Sequence, residues 1–197
     1  MMLAAFADPV FDSQRSFREL LQAMARPAVP RLLPVLPPSP APVAPAAMAI
    51  LLTLCDAATS VWLQRPEEEA VRHVRFHAGL KLAERPQHAD FALITDPVSM
   101  PTLETFARGD LRYPDRSASL IIQAEAIRSS CEPGGSGNRF AGPGIRESQA
   151  VAIDGLPSDF WRQRSALAAQ LPLGIDLFFV AGRQVLAMPR TTRLLEG

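Results

Sequence analysis

Between Pro27 and Pro45, eight of nineteen residues are proline. Each proline holds φ at roughly −65° and lacks a backbone donor, so the run can be neither a helix interior nor a strand inside a sheet. An extended, partly polyproline-like arm remains. It reads as an exposed connector crossing the surface. Its apolar Leu32, Leu33, Val35 and Leu36 would equally suit an arm laid on a partner subunit. Before the arm, Phe17, Leu20, Leu21 and Met24 recur at helical spacing within Asp12 to Arg26, with Asp12 or Ser13 to cap the start and Pro27 to end it. After it, Pro45 suits the first turn of a helix reaching about Leu54. That segment is apolar nearly all round, which predicts burial.

Downstream, helices and strands mix. Val61 to Leu63 predicts a short strand, and Pro66 opens a helix with Glu67, Glu68 and Glu69 in its first turn, where the dipole favours carboxylates. Asp90 to Asp96 predicts a buried strand, Pro101 to Arg108 a helix ended by Gly109, and Ser119 to Ile127 a strand. Pro133 to Gly137 has turn chemistry, and Asn138 to Ile145 can return antiparallel with Gln149 to Ile153. Ser158 caps a helix to about Gln170. Ile175 to Val180 and Gln184 to Met188 then form a hairpin around Ala181 to Arg183. The pattern predicts one α/β domain over 1–197, a mixed sheet between helical layers with the arm at about 27–45.

Composition excludes whole classes of function. Twenty basic and twenty acidic residues cancel, against a chain that coats nucleic acid or an anionic membrane. The longest apolar run, Val43 to Cys55, contains Pro45 and falls short of the about 20 residues of a membrane helix. Met1 to Ala7 is too short for a signal peptide, and no Lys or Arg precedes Arg15. Cys55 and Cys131 form no CxxC pair. A reduced, cytoplasmic protein is the expectation. Nineteen of the basic residues are Arg, leaving Lys81 as the one lysine.

Four constellations bear on chemistry. Glu69, His73 and His77 share a helical stripe, but residues i and i+8 stand about 12 Å apart, so His73 and His77 alone could share an ion. Val74, Arg75 and Phe76 between them supply no HExxH glutamate, and Arg72 and Arg75 repel a cation. A helix end accounts for the pair, and no metal is expected. Ser136, in Gly134-Gly135-Ser136-Gly137-Asn138, lies one glycine short of a GxSxG elbow and reads as a hairpin tip. No GxxxxGK[ST] loop occurs, and Pro143 between Gly142 and Gly144 argues against a Rossmann turn. A C-terminal hairpin turning at Gly182 and Arg183 brings Asp176 opposite Pro189, beside Arg190, with Thr191 and Thr192 following. This is either an anion site built from Arg190 and two hydroxyls, or an ion pair pinning the strand ends, and the latter is favoured.

Three segments carry a resemblance. They are Ser16-Phe17-Arg18-Glu19-Leu20-Leu21-Gln22-Ala23-Met24 ahead of Pro27, Leu51-Leu52-Thr53-Leu54-Cys55-Asp56 ahead of Val61-Trp62-Leu63, and Pro172-Leu173-Gly174-Ile175-Asp176-Leu177 with Leu186-Ala187-Met188-Pro189-Arg190-Thr191-Thr192. Arg75-Phe76-His77 also fits. From about Phe11 to Thr192 the chain resembles the PhnH family, the H subunit of the bacterial carbon–phosphorus lyase system. The resemblance implies an accessory subunit in organophosphonate breakdown. It would act with the G, I and L subunits in forming ribose 1-phosphonate 5-triphosphate from ATP and a phosphonate, and sit in a core with G, I and J. It implies a homodimer when alone, and a fold like the large domain of pyridoxal-phosphate-dependent transferases with the cofactor site lost. It carries over no catalytic residue. A Schiff base would need Lys81, which reads as a surface residue, so no pyridoxal phosphate is expected. The alternative is a phosphonate- or nucleotide-binding subunit using Arg190, Thr191 and Thr192.

Overall fold

The computed structural model describes residues 3–129 and 137–195; Cys131, Ser136 and most of the Pro133–Gly137 turn lie outside them. In chain order the elements are α1 (Pro9–Ala25), β1 (Arg31–Leu32), α2 (Pro45–Leu54), β2 (Ser60–Leu63), α3 (Glu68–Ala78), β3 (Lys81–Leu82), β4 (Phe91–Ile94), β5 (Ser119–Gln123), β6 (Ala126–Ser129), β7 (Asn138–Ala141), β8 (Gln149–Asp154), α4 (Phe160–Ala168), β9 (Asp176–Ala181), β10 (Gln184–Met188) and β11 (Arg193–Leu195). Short 3₁₀ turns occupy Pro86–His88, Pro97–Ser99 and Leu103–Thr105.

Seven strands form one mixed sheet in the order β1-β10-β9-β5-β4-β2-β3. Neighbours from β9 through β3 are parallel, while β10 runs antiparallel to both β9 and β1. Four further strands form a second, antiparallel sheet in the order β11-β7-β8-β6.

Strand alternation divides the interior in two. Leu93, Ile121, Phe178, Val180, Val185 and Ala187 face one core, with Leu20 and Ala23 of α1, Met48, Ile50 and Leu51 of α2, and Val74 of α3. Ile94, Leu120, Ile122, Leu177, Phe179, Leu186 and Met188 face the other, with Phe140, Val151 and Ile153 of the small sheet and Phe160 and Leu167 of α4. The expected layer of helices on both faces is therefore corrected. One face carries α1–α3; the other carries the small sheet with α4. The error arose at Ser119 to Ile127, read as one strand. Ala124 N still donates to Val180 O of the large sheet, but Glu125 N donates to Asp154 O of the small one. The chain changes sheets between Ala124 and Glu125, with no Gly or Pro to mark the crossing.

The proline-rich arm is likewise not an exposed connector. Leu33, Pro37, Pro40 and Val43 are buried, and Val35 and Leu36 pack on the helical core. β1 pairs with β10 at the sheet edge, the position where flanking prolines are tolerated. Leu33 N donates to Arg183 O. Gln123 clasps the arm's far end, accepting from Ala44 N at 2.6 Å and donating to Pro42 O at 3.1 Å. The predicted helix at Pro101 to Arg108 shrinks to the turn Leu103–Thr105, because Phe106 turns extended into the core and Arg108 forms an antiparallel bridge with Ser117. α1 starts earlier than expected, since Asp8 Oδ1 accepts from Phe11 N and Pro9 opens the helix. Asp159, not Ser158, stands at the start of α4.

Candidate functional site

The C-terminal hairpin has the register expected from its turn. Gly182 takes φ +55°, and Leu177 faces Met188. Asp176 therefore stands at the open end, opposite the chain entering Pro189. Its Oδ1 accepts from Arg190 N at 2.7 Å and from Nε at 3.3 Å, and its Oδ2 accepts from Nη2 at 2.6 Å. Nη1 of Arg190 donates to Pro114 O at 2.5 Å, and Nη2 also donates to Ser117 Oγ. The two side chains retain 18% and 17% of their exposure. Nearly all of the five guanidinium N–H groups are thus committed within the protein.

Sequence reasoning missed the third member. Arg164 of α4 is 2% exposed. Its Nη1 donates to Ile175 O at 3.2 Å and its Nη2 to Pro189 O at 2.6 Å. It grips the residue before β9 and the residue after β10. Pro189 O also accepts from Thr192 N at 2.9 Å. Burial lowers the Arg164 pKa to about 10; Asp176 opposes this shift and Arg190 adds to it. The guanidinium therefore remains charged at neutral pH. Asp176 bonds Arg190 and reaches Arg164 only through its charge, while Arg164 Nε and Thr192 Oγ1 are buried with no hydrogen-bond partner among the described residues. No sequence signal marked Arg164, since an Arg in an amphipathic helix normally reads as its wet face.

Thr191 is half-buried and Thr192 buried. Past them the chain passes from the large sheet to the small one, where Leu194 faces Phe140. At Gly142 a Cβ would stand 2.8 Å from Thr191 O, so glycine admits this crossing. The Asp176–Arg190 pair, Arg164 and the two threonines together form the joint between the sheets.

A second location lies at the carboxyl end of β2, the end at which open parallel sheets hold ligands. A cavity of about 400 Å³ is lined there by Ala41, Pro42, Arg65, Glu67, Glu68 and Glu69. Arg65 pairs with Asp96 at 2.6 Å, and the Asp96 carboxyl is held below the usual range by Ser99 Oγ first and by Arg65. Gln64 Oε1 accepts from Thr95 N and Asp96 N, which ties the β2 and β4 loops together. This wall is acidic and repels phosphate groups.

The histidines separate from Glu69, which lines that cavity. His73 is buried, its ring centroid 4.5 Å from that of His77. His77 Nε2 lies 3.1 Å from Leu3 O. Among the described residues, no group of three or more His, Cys, Asp or Glu is placed to hold a metal. Lys81 lies exposed on the edge strand β3. Cys55 is buried, its thiol pKa pushed up to about 12, so it is no nucleophile. No helix among the described residues is long and apolar enough to cross a membrane.

Relatives match nearly the whole length of the chain. The chain is 38% identical over 192 residues to the α-D-ribose 1-methylphosphonate 5-triphosphate synthase subunit PhnH of Rhizobium meliloti (strain 1021), covering 96% of this chain and 94% of the relative. It is 29% identical over 188 residues to the putative C-P lyase subunit protein HtxG of Stutzerimonas stutzeri, covering 93% and 87%. Residues 4–195 match the family described as bacterial phosphonate metabolism protein (PhnH), and the chain belongs to that family.

Proposed function

We propose that this protein is an accessory subunit of the carbon–phosphorus lyase machinery, supporting formation of a ribose 1-phosphonate 5-triphosphate from ATP and a phosphonate. The observation that carries the reading is the 38% identity, over nearly the full length of both chains, to a subunit of a ribose 1-methylphosphonate 5-triphosphate synthase. Its partners in this reading are the G, I and J subunits, and alone it forms a homodimer in the cytoplasm. It acts as one domain, which the single large sheet shared by both cores supports. The likeness to the large domain of pyridoxal-phosphate-dependent transferases draws support from the seven-stranded sheet with one antiparallel strand. Absence of the cofactor draws support from Lys81 on an exposed edge and from the acidic wall beside β2. The test is native mass spectrometry of the chain co-expressed with the G, I and J subunits. A stoichiometric complex is expected; a homodimer that ignores all three would overturn the reading.

Within that role Arg190 is a brace and not a clamp for phosphonate or nucleotide, because its donors go to Asp176, Ser117 and Pro114. Arg190→Ala is expected to cost about 3–5 kcal/mol of stability by leaving Asp176 unpaired, measured by urea unfolding. A stable variant that has lost ATP or methylphosphonate binding would instead make Arg190, Thr191 and Thr192 an anion site.

A further inference from the structure

We propose that the segment Leu3–Ala7 is an acid-released strap, closed over the His73–His77 pair at neutral pH and lifted from α3 when His73 takes up a proton.

His73 is 2% exposed, and its Nε2 has no hydrogen-bond partner among the described residues. His77 follows one turn later on the same stripe of α3. The two ring centroids stand 4.5 Å apart, with the planes tilted by 55°. The segment ahead of α1 reaches this stripe where Leu3 O lies 3.1 Å from His77 Nε2. It is seated a second time by Phe6, which is 7% exposed and belongs to the same core as Ala70 and Val74 of α3. Leu3 to Ala7 lie in no helix or strand, and no backbone–backbone hydrogen bond among the described residues involves them. A segment held by one side-chain bond and one buried ring opens at far lower cost than the helices beside it.

The surroundings of His73 supply nothing to balance a charge. α2, which packs on α3, has no titratable side chain between Pro45 and Leu54. Cys55 at its end is held as the neutral thiol by burial. Leu3 to Ala7 contribute no titratable side chain either. On α3 itself, Arg72 and Arg75 are cationic and exposed, and Glu69 lines the cavity beside β2. Asp12, the buried carboxylate of α1, is taken by Arg15 and by Asp8 N. Burial first and His77 second lower the His73 pKa from 6.5. An imidazolium at this position therefore lacks a counter-charge while the strap is closed, and gains water when it opens. The open form binds the proton more tightly, so opening is favoured as pH falls below 6.5, by at most about tenfold per pH unit. The gain levels off once the closed form is protonated too.

The test is hydroxyl-radical footprinting of the full chain at about pH 7.5 and about pH 5.5, read by mass spectrometry beside NMR titration of the histidine rings. Labelling of Phe6 is expected to rise about twofold or more at the lower pH. Phe179 of β9, buried in the opposite core, is expected to label equally at both. His73→Leu should abolish the rise at Phe6. Phe6→Ala loosens the strap and should move the His73 midpoint up toward 6.5. Phe6 labelling that does not change with pH overturns the proposal. A parallel rise at Phe179 also overturns it, by assigning the change to unfolding of the whole molecule. So does a rise that persists in His73→Leu. An unmoved His73 midpoint in Phe6→Ala overturns it by showing that another element covers the ring. If either variant fails to fold, His73→Gln and Phe6→Val decide by the same readouts.

Discussion

Arg164 is a guanidinium held where water does not reach, and its two carbonyl bonds place it where no loop geometry could. Ionised groups are seldom buried without a carboxylate of their own. This one makes no ion pair among the described residues, and the arrangement holds because the peptide oxygens of Ile175 and Pro189 converge on it. His73 is another buried titratable group with a pH consequence. Its pKa is lowered from 6.5, first by burial and then by His77. The unfolded chain therefore takes up its proton before the folded chain does, and stability falls as pH drops through 6.5. Urea unfolding between about pH 7 and about pH 5 should show this decline. His73→Leu should flatten it, and an unchanged slope in the variant would assign the decline to other groups.

At the scale of elements, the arm shows how packing overrides composition. Leu33 is buried while its neighbour Leu32 is 62% exposed. Leu33→Ala is expected to cost about 2–5 kcal/mol, lowering the melting temperature by about 2–4 °C for each kcal/mol. Leu32→Ala should stay within about 0.5 kcal/mol. Equal, small effects would restore the exposed connector that the prolines predict. The sequence was informative where local rules act alone. The hairpin at 176–188 follows from a glycine turn between two apolar runs, and its register alone brings Asp176 to Arg190. It was uninformative where a distant residue decides. Ser117 bridges Arg108 and draws the end of the expected helix into extended backbone. In α1, Phe17 and Leu21 have helical spacing yet point outward, because periodicity shows that a stripe exists and not which stripe meets the core. Arg164 was unreadable for the same reason.

For the molecule as a whole, the large sheet separates two cores of different make. One is closed by three helices, the other by α4 and a small sheet attached through crossings at Ala124–Glu125 and at Thr191–Thr192. The central strands β4, β5 and β9 are flanked on both edges and covered on both faces. Their amides should exchange slowest with deuterated solvent, and those of β6, β7 and β11 should open earlier as a separate unit. Mass-spectrometric exchange in which both sheets open together would show a single cooperative body.

The placement of β9 and β10 has one more consequence. β1 and β5 both precede the hairpin spanning residues 176–188 in the chain, yet that hairpin separates them in the sheet. As the polypeptide leaves the ribosome, β5 has an open edge until that hairpin arrives, and β1 has no partner at all. The large sheet therefore closes by insertion, late in synthesis, with its middle filled last. A nascent chain in that interval presents the unpaired strand that chaperones recognise and that other chains can capture.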